Sequence, residues 1–393
     1  MPQPAQLPEP GEVARQHSRA LSELIQGEIT AGDGWISFER YMRTALYAPG
    51  LGYYSGGATK FGQTGDFITA PEMSPLFAKT LARQAAQVLQ LTGGNILEFG
   101  AGSGQLAFDL MLELEKLGSL PHRYFILEVS GDLQQRQREL LQKRVPTLAQ
   151  RVTWLERLPE KFEGLILANE VLDAMPVHLI AWRGGEIFER GVTYEGEEFR
   201  WSERLLTEGE LFDAARQLPV HLHAHLDDNG YISEVSLSAR HFIRSLAKIL
   251  QAGVVLLIDY GFGEREYYHP QRAGGTLMCH YRHRSHDNPF YLPGLQDITS
   301  HVDFSGISKA GFDSGLELLG YTNQASFLIN CGITEILAET PPANVKDYLP
   351  LANQLQKLVS PAEMGELFKA VALGKNIPEP LIGFRQGDKC HML

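Results

Sequence analysis

Short apolar runs alternate with amphipathic stretches through the middle of the chain. The apolar runs begin at Asn95, Tyr124, Val152, Gly164 and Gly253. Between the early runs, residues 106–117 and 132–145 repeat apolar positions at the spacing of an amphipathic helix. This alternation is typical of a parallel sheet with crossover helices, so it predicts an α/β fold.

Helical patterns precede this region. Residues 12–29 carry apolar side chains at helical spacing, and a second helix is predicted after Ser37, a residue suited to a helix N-cap. The segment 69–72 has the spacing of a capping box and predicts a third helix over 74–90. The first 94 residues are therefore predicted to be mainly helical.

The second half of the chain departs from the regular alternation. Residues 177–232 alternate apolar and polar side chains between glycine turns, which predicts an inserted antiparallel β element. Residues 261–304 are rich in Gly, His, Asp and Pro and predict a long loop. A helix over 344–359, broken or kinked at Pro350, is predicted to precede a strand that begins at Phe368.

Charge and cysteine content restrict the class of protein. Of the 393 residues, 47 are acidic and 35 are basic, and the net charge of −12 disfavours nucleic acid as a partner because it repels phosphates. The three cysteines are widely spaced and form no CxxC pair, so neither a disulfide framework nor a thiolate zinc site is expected. No apolar run approaches the roughly 20 residues of a membrane span, and the first residues do not resemble a signal peptide. These features predict a cytoplasmic protein without membrane insertion.

Three glycines, Gly100, Gly102 and Gly104, stand at alternate positions directly after a buried strand. Removing side chains there allows a ligand to approach the backbone closely, with Ala101 as a further small residue. Glu98 precedes the first glycine by two residues, and the spacing differs from the dinucleotide fingerprint G-x-G-x-x-G. The pattern therefore favours S-adenosylmethionine, with Glu98 near the methionine amine. A tight turn without a ligand and a nicotinamide cofactor are the alternatives.

An acidic residue ends the next apolar run. Glu128 follows Gly104 by 24 residues (128 − 104), which is close to the interval for a carboxylate that binds both ribose hydroxyls. The adenine is expected near residues 154–158, after the third strand. Without the glycine turn, Glu128 would be interpreted as a solvated strand end.

Polar residues also follow the fourth apolar run. Asn169, Glu170 and Asp173 come where the carboxyl end of a parallel strand faces a ligand crevice. Short polar groups are costly to bury there without partners, so we expect them to hold the methyl acceptor, with Asn169 also near the cofactor. The alternative is that they only cap the next helix. Asp259, at the end of the fifth run, is also expected to face the crevice.

His280, His283 and His286 recur every third residue in the predicted loop. A metal site is disfavoured because no helix aligns these histidines and because arginines lie between and beside them. We predict no metal.

Several segments together resemble one known family. They are residues 46–55, 65–72 (GDFITAPE), 97–104, 169–176 (NEVLDAMP) and 297–304. The chain is similar to the MidA family over residues 37–393. Its mitochondrial members are complex I assembly methyltransferases, for which dimethylation of an arginine on a complex I subunit is implied.

The resemblance implies a Rossmann-like class I methyltransferase sheet of about seven mostly parallel strands. Its motif positions place the glycine turn, Glu98 and Glu128 on the cofactor. They also imply that the segment containing Gly65, Asp66, Thr69 and Glu72 closes over the same pocket. His301 and Asp303 lie in the last family-like segment and are expected to line the acceptor side.

The expected organisation has three parts. Residues 1–94 form an N-terminal helical region that contributes to the cofactor pocket, residues 95–176 and 233–393 form the cofactor-binding core, and residues 177–232 are the inserted β element.

The expected function is transfer of a methyl group to a protein side chain. Arginine is favoured, held by Glu170 and Asp173 with Asn169 beside them, and His301 is a reserve base. The partner is expected to be a protein, with a subunit of a respiratory complex as one candidate, while the oligomeric state stays open. A non-catalytic assembly factor and a nicotinamide-dependent oxidoreductase are the competing functions.

Overall fold

The computed structural model describes residues 7–56, 69–219 and 230–393. The chain divides into two compact units. The first unit comprises Met1–Phe67, Asp173–Ala239 and Glu264–His301. The second unit comprises Ile68–Leu172, Arg240–Gly263 and Val302–Leu393.

The described residues form sixteen β-strands and fourteen α-helices. The strands are β1 Ile36–Ser37, β2 Asn95–Phe99, β3 Tyr124–Leu127, β4 Val152–Leu155, β5 Phe162–Asn169, β6 His178–Arg183, β7 Glu186–Glu195, β8 Glu198–Leu205, β9 Tyr231–Val235, β10 Leu250–Phe262, β11 Met278–Tyr281, β12 Arg284–His286, β13 Asp297–Thr299, β14 Val302–Asp303, β15 Glu317–Asn323 and β16 Phe368–Lys375.

The helices are α1 Glu12–Ala31, α2 Phe38–Tyr47, α3 Ala70–Met73, α4 Pro75–Thr92, α5 Gln105–Lys116, α6 Gly131–Arg144, α7 Pro146–Ala149, α8 Glu210–Gln217, α9 Leu237–Ile249, α10 Glu264–Tyr267, α11 Phe304–Asp313, α12 Gln324–Asn330, α13 Ile333–Ala338 and α14 Val345–Val359. Within the described ranges, no helix is long and apolar enough to cross a membrane.

The second unit is built on one large sheet with the strand order β4-β3-β2-β5-β10-β16-β15. The first five strands of this order run parallel, and β16 pairs antiparallel with both β10 and β15. The short strand β14 adds a parallel pairing to the end of β10. All five predicted apolar runs are strands of this sheet, which confirms the α/β class with a mostly parallel Rossmann-like sheet.

The core of the second unit explains why these runs are continuously apolar. Strand β10 is buried from Val254 to Ile258, and β5 from Leu165 to Ala168, because helices cover the sheet. Helix α4 packs against α5, and buried alanines of α4 such as Ala82 and Ala85 belong to the same hydrophobic core.

The first unit is mainly antiparallel. One sheet has the order β1-β7-β6-β9, with β8 paired to β7, and a separate three-stranded sheet has the order β12-β11-β13. Its hydrophobic core joins the apolar faces of α1 and α2 to residues of both sheets, such as Val192 and Ile298. The inserted antiparallel element is thus present as β6 to β9.

Several local predictions need correction. Thr69 is the N-cap of the short helix α3 but makes no side-chain cap bond, whereas Ser74 caps α4 by accepting from the Leu76 N–H. The predicted capping box is therefore wrong, because the extended backbone of Ser74 separates the two helices. Helix α14 continues through Pro350, so the predicted break does not occur.

The predicted long loop is also only partly correct, because residues 261–304 contain α10 and the strands β11 to β14. The boundaries of the two compact units differ from those of the three parts expected from the sequence. Helix α4 belongs to the second unit, and the segment Glu264–His301 belongs to the first.

Candidate functional site

The carboxyl ends of β2, β3 and β5 mark the candidate site in the second unit. Strand β2 lies between β3 and β5 in the sheet, and the chain leaves β2 toward one neighbour and returns later on its other side. This reversal of strand order is the place where open α/β sheets bind ligands. The predicted glycine turn follows β2 at this point.

The glycine turn needs its glycines for backbone reasons. Gly100, Gly102 and Gly104 have φ of 61°, 54° and 84°, in the left-handed region that side chains disfavour. A Cβ at Gly100 would lie 3.1 Å from Val171 Cγ2, because the turn after β5 approaches the glycine turn closely. Helix α5 begins directly after Gly104, so its first N–H groups point toward the same turn.

Glu98 is buried on β2 with only 2% of its surface exposed. The hydroxyl of Tyr124 donates a hydrogen bond of 2.7 Å to its Oε2. Burial raises the pKa of Glu98 to about 7, and the nearby Glu128 adds to the rise, while the bond from Tyr124 opposes it.

Glu128 follows β3 and is also buried. Its Oε1 accepts from the Ser130 N–H at 3.0 Å, and its Oε2 accepts from the Gln137 side-chain amide at 3.3 Å. Burial raises the pKa of Glu128, and these hydrogen bonds lower it in part. In the described part of the chain, no Lys, Arg or His forms an ion pair with Glu98 or Glu128. The site therefore holds two buried carboxylates and suits a ligand with positive charge.

Gln137 makes hydrogen bonds to several parts of the site, and the sequence analysis did not identify it. Its amide donates to the Gly102 carbonyl at 2.9 Å as well as to Glu128, and its Oε1 accepts from the Trp154 indole at 2.8 Å. One fully buried side chain thus connects the glycine turn, the end of β3 and the start of the predicted adenine region. The available signal was its position between Leu133 and Leu141 on the apolar stripe of α6.

Val129 is a second residue that sequence analysis missed. This apolar side chain directly follows Glu128 and is 68% exposed at the carboxyl end of β3. An exposed aliphatic side chain therefore stands beside a buried carboxylate at this end of the sheet.

The turn after β5 is strained. Glu170 has φ of 52°, a conformation that costs an L-residue about 1–2 kcal/mol. The side-chain amide of Asn169 donates to Glu170 Oε1 at 3.0 Å, and the Glu170 N–H donates to the Ile258 carbonyl at 2.9 Å. Strained residues persist where their surroundings fix them, and they are common at functional sites.

Asp259 has a structural role that the sequence did not predict. Its carboxylate is buried and accepts hydrogen bonds from the N–H groups of Val171, Leu172 and Tyr260. It therefore holds the turn after β5.

Two predicted acceptor residues belong to the first unit. Asp173 is 7% exposed, and its carbonyl accepts from the Ser300 N–H at 3.0 Å. The N–H of His301 donates to Thr276 Oγ1 at 3.0 Å, and its carbonyl accepts from the Tyr267 hydroxyl at 3.1 Å. The backbone at His301 is thus fixed from both sides.

Asp303 has a structural role that the sequence did not predict. It is the N-cap of α11, accepts from the Gly306 N–H at 3.0 Å, and lies 3.8 Å from the Arg240 guanidinium. Its side chain therefore stabilises a helix start in the second unit.

The remaining predicted residues are distributed as follows. Thr69 and Glu72 lie at the short helix α3 of the second unit, whereas Gly65 and Asp66 lie outside the described residues. His280 is on β11, His286 is on β12 and His283 is in the turn between them. The described residues contain no group of three or more potential ligands that could hold a metal.

Because Glu98 is buried, the free energy of unfolding of the ligand-free protein should depend on pH. Its folded-state pKa of about 7 lies above the ordinary value of 4.5, so its contribution to stability is complete below pH 4.5 and is lost as pH rises through 7. Relative to Glu98→Gln, wild type should lose about 2–3 kcal/mol of unfolding free energy between pH 5 and pH 8. Urea denaturation at both pH values measures this difference. The exposed Glu115→Gln should follow wild type, and a Glu98→Gln curve parallel to wild type would contradict the assignment.

Comparison with known proteins agrees with this geometry. Residues 80–322, more than half of the chain, match the family model described as S-adenosyl-L-methionine-dependent methyltransferase. A crystal structure of a methyltransferase-type protein from Burkholderia thailandensis, bound to S-adenosyl-homocysteine, is 50% identical, covers 99% of this chain and 100% of that chain, and superposes with a TM-score of 0.93.

Curated relatives are more distant. Protein arginine methyltransferase NDUFAF7, mitochondrial, of Danio rerio is 28% identical, with 90% of this chain and 86% of that protein covered. The Drosophila melanogaster homologue is 26% identical, with 98% and 93% covered. The family match and the shared fold show that the chain belongs to the MidA family of S-adenosyl-L-methionine-dependent methyltransferases, with S-adenosylmethionine as its cofactor.

Proposed function

We propose that this methyltransferase acts on an arginine side chain of a protein. The observation that carries the proposal is the strained Glu170 at the carboxyl end of β5, next to the glycine turn. A carboxylate at this point can pair with a guanidinium, whose planar donors match carboxylate oxygens. The names of the mitochondrial relatives, protein arginine methyltransferases, support the same acceptor.

The cofactor side of the proposal assigns roles to the two buried carboxylates. Glu98 balances the methionine ammonium, and Glu128 accepts hydrogen bonds from the ribose hydroxyls. The exposed Val129 contacts the adenine. The fit is one of charge, because S-adenosylmethionine carries a sulfonium and an ammonium, whereas the pyrophosphate of a nicotinamide cofactor at the glycine turn would be repelled by Glu98.

S-adenosylmethionine supplies a methyl group on a sulfonium, which is transferred by in-line displacement to the acceptor nitrogen. The residues of this chain mainly align the acceptor. Because arginine has a free pKa above about 12, it is not deprotonated before attack. Glu170 orients the guanidinium and accepts a proton as the carbon–nitrogen bond forms. Asn169 is proposed to assist on the acceptor side, and Asp173 and His301 stay candidates for that role from the sequence alone.

Glu128→Ala should weaken binding of S-adenosylmethionine by about 1.5–3 kcal/mol, which is roughly 10- to 150-fold in dissociation constant. The reason is the loss of charge-assisted hydrogen bonds to the ribose. Isothermal calorimetry measures the change. The control is Glu139→Ala, an exposed glutamate on α6 that accepts a hydrogen bond from Gln135 and should bind like wild type. Unchanged affinity in Glu128→Ala would remove Glu128 from the cofactor site.

The acceptor is tested by transfer of radiolabelled methyl from S-adenosylmethionine into the proteins of cells that lack the gene. We expect an enzyme-dependent labelled band, and mass spectrometry of that band should find methyl-arginine. Methyl-lysine, methyl-glutamine or a labelled small molecule would refute the acceptor assignment.

The competing function is a non-catalytic assembly factor that binds the cofactor and holds a partner protein. The glycine turn and its hydrogen-bonded support by Gln137 favour an enzyme, because a scaffold has no need to keep ligand access. Binding of S-adenosylmethionine without any enzyme-dependent label would favour the scaffold instead.

A further inference from the structure

The turn after β5 takes a conformation that its own residues disfavour. Glu170 is not a glycine, yet its φ is 52°, and the following residues Val171 and Leu172 direct their N–H groups to one carboxylate oxygen, Oδ2 of Asp259, at 3.2 and 2.9 Å. Strand pairing between β5 and β10 ends at Asn169 and Ile258. Asp259 thus continues the inter-strand bonding with its side chain, one residue beyond the ladder.

The chemistry of this arrangement requires a carboxylate. Oδ1 of Asp259 accepts from the Tyr260 N–H at 2.9 Å, so both oxygens face backbone donors, and the residue is 1% exposed. An ionised carboxylate has acceptors only, whereas an asparagine would turn an NH₂ group toward one of these N–H donors. Hydrogen bonds to a charged acceptor are also the stronger ones.

We propose that Asp259 is a positioning residue that holds Glu170 in its left-handed conformation. The inference rests on the proposed function, in which Glu170 meets the acceptor. By fixing the N–H groups of Val171 and Leu172, Asp259 determines where the Glu170 side chain begins. Val171 also lies against the glycine turn, so the same bonds set the distance between Glu170 and that turn.

A double-mutant cycle tests this coupling. Denaturation is measured for wild type, Asp259→Asn, Glu170→Gly and the double variant. If Asp259 imposes the strained conformation, Asp259→Asn releases strain when Glu170 is present, but a glycine has no strain to release. The factor by which Asp259→Asn lowers the folding equilibrium constant should therefore be about tenfold smaller in wild type than in the Glu170→Gly variant. Equal losses in both backgrounds would overturn the proposal.

Activity provides the second measurement. Asp259→Asn should reduce labelled methyl transfer into the proteins of the deletion strain about tenfold or more, while calorimetric affinity for S-adenosylmethionine stays within about threefold. Unchanged transfer would overturn the positioning role. The exposed Asp313→Asn on α11 is the control and should behave like wild type in both measurements.

Two further variants keep the outcome interpretable. If Asp259→Asn does not fold, Asp259→Glu retains the charge but displaces the oxygens by one methylene, and the same cycle applies to it. Full transfer by Glu170→Gln would refute the role of Glu170 in the proposed function, whereas the stability cycle would still report whether Asp259 imposes the strain.

Discussion

Gly102→Val should abolish measurable binding of S-adenosylmethionine. Gly102 has φ of 54°, which a β-branched residue adopts at considerable cost, and its carbonyl is held by the Gln137 amide at 2.9 Å. A valine would either shift the turn and break this bond or place a branched side chain where the backbone is expected to meet the ligand. Calorimetry should show no heat of binding at ligand concentrations that saturate wild type.

The chain offers a matched control for backbone strain. Gly118 follows α5, has φ of 65°, and a Cβ there would meet no atom within 4 Å. Gly118→Val therefore carries a similar conformational penalty away from the glycine turn. It should lose stability but still bind S-adenosylmethionine. If both variants lose binding equally, the loss in Gly102→Val reflects folding, and wild-type affinity in Gly102→Val would place the ligand elsewhere.

Glu170→Gln should reduce turnover about a hundredfold or more, the usual scale for loss of an acid–base group, with affinity for S-adenosylmethionine nearly unchanged. Glutamine keeps the shape and can still donate and accept, but it lacks the charge that orients a guanidinium and accepts its proton. Asp173→Asn is expected to have the same phenotype. Labelled transfer gives the turnover, and calorimetry gives the affinity.

The control for Glu170→Gln lies on β5, the strand that precedes Glu170. Glu163 is exposed near the amino end of β5, opposite to the end that precedes Glu170, so Glu163→Gln should keep full activity. Full activity in both Glu170→Gln and Asp173→Asn would show that these acids only stabilise their turns. A large loss of cofactor affinity in Glu170→Gln would instead assign Glu170 to the cofactor.

The strands of the second unit and the glycine turn could be predicted because their signals are local. A buried parallel strand requires a continuous apolar run, and a left-handed backbone at Gly100, Gly102 and Gly104 requires glycine wherever the strand lies in the sheet. Glu98 and Glu128 were found from their distance along the chain to this turn. Ser37 was recognised as a helix cap because its partner, the Arg40 N–H, is three residues away.

Where several polar residues could cap a helix or face a ligand, the sequence did not show which role each one takes. The spacing of Thr69 and Glu72 suggested a capping box, but the chain places a second helix start at Ser74. Asp303 was expected to line the acceptor side, and its side chain also caps α11 by accepting from the Gly306 N–H, a role that the sequence analysis did not predict.

By itself, the sequence determined which segments become buried strands, where the backbone must turn left-handed, and which acids follow the strands of the sheet. These properties depend on residues within a few positions of each other. Only the tertiary structure decided that Gln137 connects the glycine turn to Glu128 and that Asp259 holds the Glu170 turn. Each of these bonds joins residues that are not neighbours in the chain, and it exists because the strand order brings β2 beside β3 and β5 beside β10.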